Sequence, residues 1–374
     1  MKILLTGGSS GGHFYPLMAV ADDVHRVVRS RNILTPRIFF MADKSIDDLG
    51  LRSRKIQFIK IPAGKKRIYF SFLNILDFFK TLLGVIVAFW KIFWLFPDVV
   101  FSKGGYSSFP VLFWARFFRI PIVIHESDIS PGRANLWASK FASRIAIAYP
   151  ETARYFDSKK TAWVGLPVRS SLKKRSREEG LKMLGLSGDR PIILVLGGSL
   201  GAEKINDLII QALPDLLQKY EVIHQTGKNN FEKINRLVDV IISDKELKKR
   251  YHSFDYLSDS ALALSASVSD LIVTRAGSAL FEVAMWQVPS IVIPISESHD
   301  DHQRKNAYAF MKAGCGVVIE EANLSVRIFN DELDRILENP DISNLMKKAC
   351  EKFFHKDAGL KIASLLVDIA LEHE

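Results

Sequence analysis

The sequence predicts an α/β protein of two Rossmann-like parallel-sheet domains facing a central cleft, and three observations carry that prediction. Strand-like runs alternate with helical segments along the whole chain, two glycine-rich turns follow such runs about half a chain apart, and 374 residues at 48% apolar content can bury two separate cores. The first turn is Gly7-Gly8-Ser9-Ser10-Gly11-Gly12-His13, after Ile3-Leu4-Leu5-Thr6. The second is Gly197-Gly198-Ser199-Leu200-Gly201-Ala202, after Ile192-Ile193-Leu194-Val195-Leu196. Each reads as strand, turn and helix start. Glycine lets the backbone approach a ligand closely, and a helix N-terminus offers N–H groups and a favourable dipole, so both turns suit phosphate or pyrophosphate.

In chain order, the first half has strands expected at 2–6, 37–42, 56–61, 98–102, 121–125, 144–148 and 161–164. The second half has them near 191–196, 221–225, 251–256, 270–274, 289–294 and 316–320. Gly165-Leu166-Pro167-Val168-Arg169 then gives way to a polar stretch, Ser170 to Glu179, which marks the hinge. The expected domains are therefore 1–164 and 165–344. Helices are expected at 330–338 and 343–373, the segment at about 345–374 packing back on the first domain.

Cys315 and Cys350 are the only cysteines, without paired spacing or a Cys/His cluster, so neither a disulfide framework nor a zinc site is expected, and a reducing cytosol fits. Met1-Lys2-Ile3 enters a strand directly, so no signal peptide is expected. The net charge of +10 is uneven: residues 1–164 hold 24 Lys and Arg against 11 Asp and Glu, or +13, and the remainder 27 against 30, or −3. A basic first half suits nucleic acid, an anionic membrane or a phosphate-rich substrate. The stretch from Ile68 to Phe96 favours membrane over nucleic acid, with one of its faces expected to pack on the sheet as a crossover helix. It is rich in Phe, Trp, Leu and Ile on almost every side, and Lys55, Lys60, Lys65, Lys66 and Arg67 stand just before it. Its longest uncharged core, Thr81 to Trp90, is 10 residues, and Asp77, Lys80 and Lys91 interrupt it, so the expectation is a helix lying in the membrane interface and not spanning it.

Candidate chemistry sits at the strand ends. His13 closes the first glycine turn; with an ordinary pKa of about 6.5 it can take a proton from a hydroxyl, or it can order the loop through a hydrogen bond. Ser9 and Ser10 suit capping and ligand contact equally. A further pair, Gly104-Gly105-Tyr106, follows Val99-Val100-Phe101, and its presence suggests two phosphorylated ligands. His125-Glu126-Ser127-Asp128 ends another strand, where open α/β sheets place ligands; Asp128 could bind or activate a hydroxyl, and Glu126 could be structural. In the second half, Thr274 to Glu282 leads from a strand into a helix, with Glu282 expected about two turns in and able to bond the two hydroxyls of a ribose. Asp301-His302-Gln303-Arg304-Lys305-Asn306-Ala307 supplies imidazole and amide groups suited to sugar hydroxyls, or is a solvated helix start.

The ordered set of motifs resembles the GT-B glycosyltransferases that form lipid II in peptidoglycan synthesis, the MurG-type transferases. The resemblance covers essentially the full length: Gly7 to His13 with Pro16, Gly104-Gly105-Tyr106, His125-Glu126, Gly165 to Arg169, Gly197 to Ala202, His224 to Lys228, Arg275 to Glu282, and Gln303 with Asn306-Ala307. It implies transfer of N-acetylglucosamine from UDP-N-acetylglucosamine to the muramoyl hydroxyl of an undecaprenyl-pyrophosphate-linked acceptor, at the cytoplasmic face of the membrane. It also implies inversion at the anomeric carbon, no cofactor and no metal. It assigns Ser10, Gly11, Gly12, Arg169, Ser199, Leu257, Ala279, Leu280, Glu282, His302 and Gln303 to the UDP-sugar, and Gly12, His13, Gly104, Gly105 and Tyr106 to the acceptor pyrophosphate. His13 is the implied base, with Asp128 as a second candidate. The chain departs from the family pattern at Ser127-Asp128, where many members have Gln-Asn, and at His302-Gln303, where a Gln-Gln pair is common. The segment from Arg275 to Glu282 is one residue shorter than in some members. Three other readings remain on the sequence: a diacylglycerol glycosyltransferase, which needs no Gly104 turn; a UDP-N-acetylglucosamine 2-epimerase, which needs no apolar, basic helix; and a non-catalytic sugar-lipid-binding partner, which would not need both half-sites in one chain.

Overall fold

The structure is a computed structural model describing residues 1–8, 10–64, 73–198, 201–296 and 301–373, and the chain forms two compact units. Unit 1 is Met1–Arg169 with His355–Glu374; unit 2 is Ser170–Phe354. Unit 1 thus retains Gly165 to Arg169 and gives up the segment from 345 to 354.

Unit 1 is built on seven parallel strands: β1 Lys2–Thr6, β2 Arg37–Ala42, β3 Gln57–Lys60, β4 Val99–Ser102, β5 Ile122–Glu126, β6 Arg144–Ile147 and β7 Thr161–Trp163. Their order across the sheet is β3-β2-β1-β4-β5-β6-β7. The central strands β1, β2, β4 and β5 are largely buried apolar runs because helices cover both faces, as parallel sheets require, whereas the edge strands β3 and β7 are more polar and more exposed. The order reverses between β1 and β4, which pair up to Thr6 opposite Ser102. Both glycine turns of this unit leave the sheet there, at the topological switch point where such sheets bind ligands.

On one face, the helix Gly11–Ser30 buries Phe14, Leu17, Val20, Val24 and Val28 against Ile3, Leu5 and Phe40, and the helix Ala358–His373 adds Ile362, Leu366 and Val367 to the same core. The single closing helix expected over 343–373 is instead two, Pro340–Phe353 in unit 2 and Ala358–His373 in unit 1, because the backbone turns extended at Phe354 (φ −81°, ψ 121°) and lets the chain change units. On the other face, the helix Leu73–Leu95 sinks Ala88 and Ile92 among Leu4, Val100, Val111 and Ala115, and Trp114 of the helix Phe109–Phe117 donates its indole N–H to the Val85 carbonyl at 2.7 Å.

That contact uses one side of the helix only. Ile75, Leu76, Phe78, Phe79, Leu82, Leu83, Ile86, Trp90, Phe93 and Trp94 are exposed, and Phe113 and Phe117 extend the same apolar surface. By length and composition Ile75–Leu95 could cross a bilayer. The 10-residue uncharged core of the sequence understated this reach, since Asp77 and Lys80 lie near the start of the helix as an i,i+3 pair at 3.6 Å. Lys65, Lys66, Arg67 and residues 68–72 of this segment lie outside the described residues.

Unit 2 has six parallel strands, β8 Ile192–Leu196, β9 Glu221–Gln225, β10 Tyr251–Phe254, β11 Leu271–Thr274, β12 Ser290–Val292 and β13 Gly316–Val318, in the order β10-β9-β8-β11-β12-β13. Its switch point lies between β8 and β11, paired up to Leu196 opposite Thr274. The helix Glu203–Lys219 packs Ile205, Ile209, Leu213 and Leu216 on Ile193, Val195 and Val222. Cys315 and Cys350 are buried, and the Cys350 thiol donates to the Cys315 carbonyl at 3.5 Å.

Candidate active site

In unit 1 the register of β1 against β4 brings the two glycine turns together. The Lys103 N–H donates to the Thr6 carbonyl at 3.0 Å and the Ser107 hydroxyl to the Gly7 carbonyl at 2.6 Å. Gly105, at φ +87°, lies so close to Gly8 that a Cβ on it would come within 2.7 Å of the Gly8 Cα. Only glycine accepts both that backbone conformation and that approach. His13, in the first turn of Gly11–Ser30, borders the same surface: a Cβ on Gly8 would meet its Nδ1 at 2.7 Å, and one on Gly105 its Cε1 at 3.7 Å. Ser10, the residue before the helix, makes no side-chain cap; its hydroxyl lies 2.9 Å from His13 Nδ1. The Tyr106 hydroxyl donates to Asp43 at 2.7 Å. Gly8, His13 and Gly105 thus adjoin one another, with Ser10 beside His13, and Gly104 and Tyr106 flank Gly105 in the chain.

The β5 end adds a buried polar cluster. Glu126 accepts four N–H bonds, from Ser127 (2.8 Å), Asp128 (3.1 Å), Gly132 (3.0 Å) and the Asn135 amide (2.9 Å). This carboxylate is a structural knot that fixes the 127–132 loop, and burial together with the Asp128 charge pushes its pKa up. Asp128 is half-buried in that loop, and its carbonyl accepts the Thr152 hydroxyl at 3.1 Å. His125 donates from Nε2 to the Gly165 carbonyl at 2.8 Å, so its Nδ1 is the acceptor for Lys103 Nζ at 2.6 Å. Burial and the adjacent Lys103 hold His125 well below its usual pKa, so the ring is neutral. The Lys103 amine also donates to the Ser127 hydroxyl. Arg169, which ends the first of the two segments of unit 1, is buried with its guanidinium 3.7 Å from the centroid of the Tyr15 ring.

In unit 2, four turns gather at the strand ends. At β8, Gly201 (φ +81°) passes so near β9 that a Cβ would lie 2.4 Å from the Thr226 carbonyl oxygen. Behind it, His224 bonds Asn206 (3.0 Å) and Tyr251 (2.9 Å), and Asn206 donates to that same Thr226 carbonyl at 3.0 Å. The helix Glu203–Lys219 starts at Ala202, which makes no side-chain cap, and its N-terminus carries the positive end of the helix dipole. Ser199 lies outside the described residues. Leu257 is buried in the turn after β10, and Ala279 and Leu280 open the helix Ala279–Trp286 after β11.

Glu282 stands in the first turn of that helix, not two turns in, because Arg275 to Ser278 form a turn held by Arg275, which donates to the Ile293 carbonyl at 3.0 Å. His302 and Gln303 open the helix His302–Lys312, and Gln303 Oε1 accepts the Ile295 N–H at 3.3 Å. Asn306 donates to the Ala276 carbonyl at 3.3 Å and ties this helix to the β11 turn. Ser10, Gly11, Gly12 and Arg169 belong to unit 1, and Leu257, Ala279, Leu280, Glu282, His302 and Gln303 to unit 2.

Residues 3–147 match the glycosyltransferase family 28 N-terminal domain and residues 192–361 its C-terminal domain. The chain belongs to glycosyltransferase family 28. It is 36% identical over 360 residues to the UDP-N-acetylglucosamine--N-acetylmuramyl-(pentapeptide) pyrophosphoryl-undecaprenol N-acetylglucosamine transferase 2 of Bacillus cereus, covering 96% of each chain. Two solved structures share the fold. MurG of Acinetobacter baumannii has a TM-score of 0.72 at 23% identity, covering 98% of this chain and 99% of that one. The UDP-GlcNAc 2-epimerase of Neisseria meningitidis bound to UDP-GlcNAc has 0.64 at 14% identity, covering 100% of both. The fold is therefore common to transferase and epimerase, and the 36% identity over nearly the full length separates them.

Two residues of this family 28 enzyme escaped the sequence reading. Lys103 was legible only as the residue before the second glycine pair. Glu321, just after β13, accepts Ser296 N–H (3.1 Å), Ser296 Oγ (2.7 Å), Lys204 (3.2 Å) and Arg275 (2.7 Å). It links the turns after β8, β11 and β12. Although burial alone would raise its pKa, the Ser296, Arg275 and Lys204 bonds outweigh it and bring it down to about 2.

Proposed function

We infer that this chain transfers N-acetylglucosamine from UDP-N-acetylglucosamine to the muramoyl hydroxyl of an undecaprenyl-pyrophosphate-linked MurNAc-pentapeptide, forming lipid II for peptidoglycan synthesis. The observation that carries this reading is the full-length identity to the Bacillus cereus transferase, joined to a glycine-turn surface at the switch point of each unit.

In unit 1, Gly12, His13, Gly104, Gly105 and Tyr106 hold the acceptor pyrophosphate, on N–H groups and the helix dipole of Gly11–Ser30. His13 is the base. Its Nδ1 lies 2.9 Å from Ser10 Oγ, and in the tautomer that carries the proton on Nδ1 the Nε2 lone pair takes the proton of the attacking hydroxyl. Asp128 is the second candidate for that proton. The hydroxyl oxygen bonds to the anomeric carbon from the face opposite the leaving UDP, so configuration inverts.

In unit 2, Leu257 and the backbone at Ala279-Leu280 meet the uracil and pyrophosphate, Glu282 the ribose, and Ser199, His302 and Gln303 the rest of the nucleotide sugar. From unit 1, Ser10, Gly11, Gly12 and Arg169 are proposed contacts of the same donor. The departing diphosphate is stabilised by backbone N–H groups and helix dipole at the start of Glu203–Lys219 and Ala279–Trp286.

The exposed apolar face of Leu73–Leu95, with the basic residues Lys55 and Lys60 before it, seats the enzyme on an anionic membrane surface where its lipid acceptor resides. A peripheral location at the cytoplasmic face, which the family resemblance implies, is proposed with it. The test of the reaction is the product. Lipid I incubated with enzyme and UDP-N-acetylglucosamine gains one β-linked N-acetylhexosamine by mass spectrometry and NMR; an α-linkage, or a mass gain on diacylglycerol in place of lipid I, refutes the assignment.

A further inference from the structure

Lys103 is fully buried, yet nothing in the assigned machinery uses it. A lysine in such a place is costly to hold for packing alone, since an unbranched apolar side chain of similar length fills the space without desolvating an amine. Its position is specific. The residue lies between β4 and the Gly104-Gly105 turn, its Cβ is 3.3 Å from where a Cβ on Gly7 would be, and its amine reaches His125 Nδ1 and the Ser127 hydroxyl. Neutral His125 can only accept from it, and Glu126, whose carboxylate is tied by four N–H donors, acts on the amine through its charge and not through a hydrogen bond.

We propose that Lys103 is a positioning residue of the acceptor half-site, a buried cation that offsets the charge of an anion held on the Gly7-Gly8 and Gly104-Gly105 turns and fixes the Ser127-Asp128 segment beside it. The proposal rests on the reading that these turns bind the acceptor pyrophosphate. Burial pulls the Lys103 pKa down to about 7, while the Glu126 and Asp128 charges partly oppose that fall. An anion arriving at the turns adds a further negative charge close to the amine, favours the ammonium form and draws a proton from solvent. The titratable groups around it are His125, Glu126 and Asp128 from β5 and its loop, and His13 across the glycine turns. The ammonium keeps its bond to Ser127, so the loop carrying Asp128 is held while the acceptor is bound.

Two variants and two readouts test this. Lys103→Met removes the charge and the donor; Lys103→Gln removes the charge and keeps a donor for Ser127. Both are first shown to be folded by a thermal melt, since loss of the amine relieves its burial but takes the donor from His125 Nδ1. With a soluble polyprenyl-pyrophosphate acceptor, both raise the acceptor KM about tenfold, the equivalent of about 1.4 kcal/mol, and leave the UDP-N-acetylglucosamine KM unchanged. Lys103→Met also lowers kcat, and Lys103→Gln does not. Independently of catalysis, calorimetry of inorganic pyrophosphate binding at pH 7.5 in buffers of different ionisation heat shows greater proton uptake by wild type than by Lys103→Met. Equal uptake, an unchanged acceptor KM, or equal rises in both KM values overturn the role. If wild type transfers no sugar but the uptake difference stands, the assigned reaction fails and the Lys103 charge site survives.

Discussion

Gly8 and Gly105, nearly a hundred positions apart in sequence, have their backbones in contact: a Cβ added to Gly105 would sit 2.7 Å from the Gly8 Cα. That approach converts two turns at the ends of β1 and β4 into one surface, and His13 borders it. Gly105→Ala has to strain a φ of +87° and push Gly8 away, at a cost of about 1–3 kcal/mol for the backbone alone. The variant is expected to raise the acceptor KM and cut turnover at least tenfold while UDP binding to unit 2, measured by calorimetry, stays at the wild-type value.

His13 and Ser10 make a second test of the same surface. His13→Ala is expected to lose turnover by about 10²–10⁴-fold, the range for removing a positioned proton acceptor, with UDP affinity near wild type. Loss of UDP binding instead would place His13 with the donor. Asp128→Asn distinguishes the two candidate bases: full turnover with an unchanged pH profile removes Asp128 from proton transfer.

Glu321 gives a prediction with a defined pH window. Its pKa in the folded chain, about 2, is below the ordinary 4.5, so its bonds to Ser296, Arg275 and Lys204 add stability that is complete above pH 4.5 and lost as pH falls towards 2. Glu321→Gln is therefore expected to melt below wild type at pH 7, and the gap between the two melting temperatures should close as the pH is lowered through that window. Because Lys204 starts the helix after the Gly201 turn and Arg275 starts the β11 turn, the same variant should raise the UDP-N-acetylglucosamine KM more than the acceptor KM.

The apolar face of Leu73–Leu95 is checked by vesicle sedimentation. Trp90 and Trp94 are 56% and 77% exposed, and each large apolar side chain fully buried in lipid is worth about 1.5–3 kcal/mol. The pair Trp90→Glu and Trp94→Glu should lose binding to phosphatidylglycerol vesicles, while transfer to a soluble acceptor stays near wild type. Unchanged vesicle binding would move the membrane contact elsewhere.

Much of the fold was legible because each strand is a local apolar run with a glycine turn behind it. The strands expected at 2–6, 37–42 and 221–225 have the observed bounds, and the others differ at their ends by one or two residues. The same locality exposed His13, the Gly104-Gly105 turn and the Arg275 to Glu282 segment. Bonds between elements left no such trace. Lys103 meets Ser127 only because β4 and β5 pair with Ser102 opposite Ile124, and Glu321 meets Arg275 only through the placing of β11, β12 and β13. The break at Phe354 was also hidden, since apolar residues on both sides of it keep a helical spacing and only the packing of Ile362 and Leu366 on Gly11–Ser30 shows where the second helix belongs.

The central claim, sugar transfer to a lipid-linked acceptor, is tested most directly by following radiolabelled UDP-N-acetylglucosamine with purified enzyme in the presence and absence of lipid I. Label is expected to pass to the lipid fraction, with matching UDP release, only when lipid I is present. Conversion of the nucleotide sugar to another sugar without any lipid would contradict that claim and identify an epimerase.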